Sequence, residues 1–284
     1  MKSTKGRRTA CSLAVAAVLA AAAACTSSAP SDDRPARSSR EATPATSVTV
    51  ALRAAERSTE EARSARVRSV TVMGTQLSIK GDGVIGWGDG LTGAMTITYT
   101  GGTVADTMRD MGVTSMQARY LADAYYAHMG DRFAARMGGR HWVKYAYEDL
   151  KALGGGANFA DQMRSTTPDQ SVKLLLDSAD LRKVGEEKMD GQSATHYSGT
   201  VAVADVSDPE LRGQLERAGV TTETVDIWVN DKNLLVKKVE KSRTAAEQIT
   251  QTAHYSDYGV KVSVEKPPAA DTEDFKALLK PSAS

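Results

Sequence analysis

The sequence predicts an α+β protein in which one large antiparallel sheet carries its helices on one face. Three observations predict it. Short segments alternate apolar and polar residues at period two through most of the chain. Asp-Gly and Gly-rich pairs punctuate them at hairpin spacing. The few segments with helical periodicity come singly, with strands in runs between them and no β-α-β alternation.

Taken in order, residues 26 to 46 are rich in Ser, Pro and Ala without apolar periodicity, which reads as a disordered tether. From Ser47, the residues Val48, Leu52, Ala55 and Ala62 share one face of a helix that ends near Ser64. From Val67 to Thr100 the pattern switches to hairpins, with turns expected at Gly81-Asp82-Gly83 and Gly88-Asp89-Gly90. Strands continue through Met116-Tyr120, Tyr125-Met129 and His141-Tyr145.

After a Gly-rich break at 154 to 156, Thr167-Pro168-Asp169-Gln170 forms a capping-box signature, and Val172, Leu175, Leu176 and Ala179 form the buried stripe behind it. A second short helix opens at Asp208-Pro209, carries Leu211, Leu215 and Ala218, and stops at Gly219. Strands are expected at 181–189, 192–204, 222–230, 234–241, 247–258 and 260–265, with turns at Asp190-Gly191 and Asn230–Asn233. Helix followed by strands occurs twice, a hint of internal duplication.

The amino terminus carries an export signal. Lys2, Lys5, Arg7 and Arg8 precede a 13-residue run from Ser12 to Ala24 made only of Ser, Leu, Ala and Val. That run is shorter than the roughly 20 residues a spanning helix needs. Ala22-Ala23-Ala24-Cys25 resembles the lipobox cut by the lipoprotein signal peptidase, although that pattern prefers Leu or Val where Ala22 stands. The expected division is a signal peptide at 1–24, an acylated Cys25 with its tether to 46, and one domain at 47–284. The protein would be lipid-anchored to the cell membrane and face outside. Cys11 leaves with the signal peptide and Cys25 carries the anchor, so no thiol remains for a disulfide, a metal or catalysis.

Without the four cations of the signal peptide, the 36 Lys and Arg become 32 against 35 Asp and Glu, a net charge of −3. That balance offers no electrostatic footprint for nucleic acid. Three Trp and three Phe in the whole chain argue against stacking platforms for sugars or bases.

His141-Trp142-Val143-Lys144, the stretch 181–187 with Asp190-Gly191, His196 to Val201, Ile227-Trp228-Val229, and Tyr255 to Gly259 leading to Pro267-Pro268 together resemble the LppX/LprG-type actinobacterial lipoproteins, whose fold is similar to that of the lipoprotein carrier LolA. The resemblance covers most of residues 47 to 275. It implies a strongly curved half-barrel with helices in its hollow, and a cavity that accepts the acyl chains of lipids or glycolipids for carriage or presentation.

Candidates for the cavity wall are Leu175, Leu176, Val201, Val203, Val225, Ile227 and Val229, each of which has solid core as its alternative. The competing reading is a non-catalytic envelope lipoprotein with a filled core that acts on a protein partner. Gly81 to Gly86 matches the GxGxxG string, but strand and turn residues follow it instead of a helix, so no dinucleotide is expected. Met108, Met111 and Met116 are possible soft copper ligands, or adaptable apolar filler suited to a wall that moulds to acyl tails. His128, His141, His196 and His254 show no ligand spacing, and no nucleophile motif is present. No cofactor, metal or catalytic residue is therefore expected.

Overall fold

The computed structural model describes residues 44–136, 138–152, 167–245 and 247–279. Cys25, residues 26–43 of the expected tether and the Gly-rich break lie outside the described residues. Helix α1 (Pro44–Ala62) begins inside the expected tether, since proline is well placed in a first helical turn. Its stripe of Leu52, Ala55 and Thr59 is fully buried.

The first half continues with β1 (Ser64–Met73), β2 (Leu77–Gly86), β3 (Thr92–Gly101), α2 (Thr103–Asp110), β4 (Ser115–Tyr120), β5 (Ala124–His128), α3 (Asp131–Arg136), β6 (Trp142–Ala146) and α4 (Tyr147–Ala152). The second half holds α5 (Pro168–Leu176), β7 (Arg182–Met189), β8 (Gln192–Ala202), a 3₁₀ turn (Val203–Asp205), α6 (Pro209–Arg217), β9 (Val220–Asn230), β10 (Leu235–Thr244) and β11 (Gln248–Ser256). A second 3₁₀ turn (Ala269–Asp271), β12 (Thr272–Asp274) and α7 (Phe275–Leu278) follow.

All twelve strands among the described residues form one sheet in the order β12-β6-β5-β4-β3-β2-β1-β11-β10-β9-β8-β7. It is two meanders, each behind a helix, joined where β1 pairs with β11 from Arg66 opposite Ser256 to Met73 opposite Ile249. The edge strands β12 and β7 do not pair with each other, so the curved sheet stays unclosed. The antiparallel expectation holds for every pair but one, since β12 runs parallel to β6.

On the inward face α5 packs against β8, β9 and β10 and also against α1, while α2 rests on β2 and β3, and α4 and α7 rest on β6. Thr59 ties α1 to the sheet, because its hydroxyl accepts a hydrogen bond of 3.2 Å from the Leu235 amide at the β10 bulge. A buried amide there would otherwise lack a partner.

The Asp190-Gly191 turn forms as expected, with both residues at positive φ as a two-residue hairpin demands. Gly81-Asp82-Gly83 is a correction. It lies within β2, and the β1–β2 turn is at 74–76. The glycines are there for close approach: a Cβ on Gly83 would stand 2.1 Å from the Ala94 carbonyl oxygen.

Residues 260–265, expected as a strand, are irregular. They belong to a strap that leaves β11, bonds to β1 through Ser64 Oγ and the Val260 carbonyl (2.7 Å), and to β4 through Arg119 and the Glu265 carbonyl (2.8 Å). Crossing strand ends gives it no ladder. At the N-cap of α5, Thr167 makes no side-chain cap bond, and the helix stops at Leu176, short of Ala179. By contrast, Asp208 caps α6 by accepting from the Glu210 and Leu211 amides at 2.9 and 3.1 Å. Helices α2, α3 and α4 have no counterpart in the sequence reading, being one or two turns long.

Gly83→Val should destabilise the domain by roughly 1–3 kcal/mol or more, because its branched side chain collides with the β3 backbone. Urea denaturation of the variant beside the wild type measures this.

Candidate functional site: two hollows on the inward face

Period two along each strand decides which side chains look inward, and the pairing register aligns them in rows. In the first half the inward residues of β3 to β6 include Tyr99, Met116, Tyr125, Ala127 and Tyr145. Together with Met108 of α2, Met129, Leu150 of α4 and Phe275 of α7 they line a hollow of about 370 Å³. That lies at the lower end of the roughly 300–1,000 Å³ of ligand pockets.

Among the described residues no charged side chain lines this hollow. Its polar atoms are phenol hydroxyls and thioethers, and they engage each other: Tyr99 and Tyr125 both direct their hydroxyls to Met116 Sδ, at 3.5 and 3.6 Å. The rings are packed in a chain, with Tyr120 on Tyr125 and Tyr125 on Tyr145 at 5.4 Å, and Tyr145 on Phe275 at 4.7 Å. Burial pushes the phenol pKa values of Tyr99, Tyr125 and Tyr145 upward, so all three stay neutral. Chemically this is an uncharged surface with flexible thioether walls.

The second hollow, about 210 Å³, lies between α5 and α6 and the inward rows of β9, β10, β11 and β1. Its rim is apolar, with Leu174, Leu211 and Leu215. Its floor is polar: Glu223 of β9 stands opposite Ser242 of β10, and Glu240 stands opposite Gln251 of β11. Lys238 is buried between them and donates to Glu240 Oε2 at 2.8 Å and Ser171 Oγ at 3.0 Å. Burial, and then the neighbouring Glu240 charge, push the Glu223 carboxyl up to about 8, against the pull of a Ser242 hydrogen bond and the Lys238 ammonium.

The seven residues expected to wall a cavity line neither hollow. Leu175, Val201, Val225, Ile227 and Val229 are buried in the main core cluster, and Leu176 packs against it half-buried. Val203 is buried in the 3₁₀ turn. Leu175 and Leu176 belong to α5 itself, and Val201, Val225, Ile227 and Val229 lie on β8 and β9, against which it packs. Met108 and Met116 do reach a hollow, and Met111 packs on the core beside it. Glu223, Glu240, Tyr145 and Phe275 were missed, yet Glu223 shares the inward parity of Val225, Ile227 and Val229, so its burial was readable from that alternation.

A chain of Streptomyces coelicolor provisionally named a lipoprotein is 54% identical to this one over 98% of both chains. The chain belongs to this lipoprotein family. A 31.2 kDa protein of Streptomyces griseus, from the rplA–rplJ intergenic region, is 50% identical over 81% of this lipoprotein and 80% of its own length. No protein-family model matches.

Among solved structures, the Mycobacterium tuberculosis lipoprotein LppX superimposes with a TM-score of 0.51 at 16% identity, covering 77% of this chain and 98% of its own. LprF of Mycobacterium bovis gives 0.50 at 15% identity, covering 79% and 99%. The fold expected from the sequence resemblance is therefore the one observed. The S. coelicolor relative and LppX are named as lipoproteins, neither as an enzyme. Among the described residues no helix is long and apolar enough to cross a membrane, and no His, Cys, Asp and Glu cluster could hold a metal ion.

The raised Glu223 pKa has a pH signature. The folded state keeps this proton up to about pH 8, while the unfolded chain loses it near 4.5. The group therefore costs nothing below about 4.5, and its penalty grows as the pH rises to about 8 and is constant above. Glu223→Gln should gain in Tm over the wild type progressively between pH 5 and pH 8. Thermal unfolding of both proteins across that range checks it, and a pH-independent difference would show an ordinary carboxyl.

Proposed function

We propose that this lipoprotein, acylated at Cys25 and facing outside the cell, binds the acyl chain of an envelope lipid or glycolipid in the hollow between Tyr99, Met116, Tyr145 and Phe275. The observation that carries the reading is that, among the described residues, no charged side chain lines a hollow of about 370 Å³. Apolar burial is worth about 25 cal/mol per Å², so an uncharged concave wall favours a hydrocarbon tail. Methionines can re-pack around tails of different shape. The role is non-catalytic: the tether would hold the protein beside its donor membrane while the head group stays at the mouth.

Two acyl chains give durable anchoring where one does not. Cys25→Ser should accordingly move the protein from the membrane fraction to the soluble fraction of its host, measured by fractionation and immunoblot. Retention in the membrane would remove Cys25 as the anchor.

Native mass spectrometry of the protein purified from its host should show co-purifying lipid. Ala127→Phe, which grows a ring into the hollow, should lose that lipid while keeping a cooperative unfolding transition. Ile227→Trp should behave differently. Ile227 is fully buried in solid core, so overpacking should lower stability by roughly 1–3 kcal/mol. Wild-type protein that is repeatedly empty would overturn the lipid reading and favour an envelope protein that acts on a protein partner.

A further inference from the structure

The second hollow is separate from the proposed acyl site and needs a different occupant. Three of its lining residues hold a buried acceptor with no hydrogen-bond partner among the described residues: Glu223 Oε2, Gln170 Oε1 and Gln214 Oε1. Glu223 is 3% exposed. Buried polar atoms are nearly always satisfied, so three unpartnered acceptors on residues that line one hollow call for a group rich in donors. An alkylammonium has three donors and no acceptor.

Charge points the same way. The charged groups around the hollow are Glu223, Glu240 and Lys238, and Lys238 is already committed to Glu240 and Ser171. Helices α5 and α6 and strands β1 and β11 add Ser171, Thr71, Gln251 and the two orphaned amides there, none of them titratable. Glu223 is thus the carboxyl with no cation of its own. Above it, Leu211 and Leu215 of α6 and Leu174 of α5 offer apolar contact to a short stem.

We propose that this hollow is a binding site for a small amphiphilic primary amine, its ammonium against Glu223 and its alkyl stem against Leu174, Leu211 and Leu215. Entry of the cation gives the three acceptors their donors and gives Glu223 a counter-charge. The carboxyl, held protonated near neutrality in the free protein, then ionises, so binding releases a proton. Nothing in this site depends on the acyl-chain reading.

The test is calorimetric titration of the mature chain with n-butylammonium chloride, with n-butanol as the uncharged control of equal stem. The amine should bind saturably and butanol should not. The heat at pH 7 should vary with the ionisation enthalpy of the buffer, reporting release of close to one proton. Affinity should rise about tenfold from pH 6 to pH 7, as expected below the pKa of the group that must ionise. Glu223→Gln, which keeps the shape of the side chain, should weaken the amine at least tenfold and abolish the proton release.

Absence of saturable amine binding would overturn the proposal and leave the acceptors to water. So would equal affinity in Glu223→Gln, or butanol binding as tightly as the amine, which would mark a merely apolar hole. Lipid co-purification is read independently and is expected to be unchanged in Glu223→Gln.

Discussion

A twelve-stranded sheet that curves without closing has an inward face it cannot fill with its own side chains, and every other feature of this protein answers to that constraint. Small closed barrels fill from within, whereas an open curve must be covered by other elements. Here α1 and α5 cover the middle of the second meander, where Leu175, Val225 and Ile227 meet them in solid packing. The remaining helices are short, at most nine residues, and cannot extend that cover to both flanks. Hollows therefore lie to either side of the packed middle, one against β3–β6 and one beneath α6.

The linings differ because the two meanders present different side chains on the same parity. In β3 to β6 the residues that reach the hollow are tyrosines, Met116 and Ala127, and the hydroxyls of Tyr99 and Tyr125 meet the Met116 sulfur, which leaves an uncharged wall among the described residues. In β9 and β10 the inward rows set Ile227 opposite Lys238, Val225 opposite Glu240 and Glu223 opposite Ser242, so charged and apolar side chains share the same levels. Keeping Glu223 protonated at neutral pH costs stability relative to the unfolded chain, whose carboxyl ionises freely, so the Glu223 position calls for a reason other than folding. The two hollows suit two chemistries on one scaffold.

The strap after β11 closes the structure in another sense. It crosses from the centre of the sheet to its far edge, where His141 Nδ1 and its amide both meet Asp271 Oδ1, at 2.7 and 2.9 Å. Arg140 and Glu273 form a further ion pair there. The strand β12 that follows covers β6, an edge that would otherwise expose unpaired backbone groups. Residues 260–265, expected as a strand, run between anchors at Ser64 and Arg119, and a segment without a partner strand is no ladder.

By itself the sequence determined the fold class, most of the strand runs, both Pro-initiated helices and the Asp190-Gly191 turn, because each is set by local chemistry: period, caps and the few residues that tolerate positive φ. Only the tertiary structure decided which apolar residues are core and which are wall. Val225 and Tyr145 are both inward strand residues, and nothing in alternation separates them. What separates them is whether a helix lies overhead, and that depends on where α1, α5 and α7 come to rest from distant parts of the chain. The glycines of β2 show the same limit: Gly83 looks like a turn in sequence, and only the approach of β3 makes it a strand residue that admits no side chain.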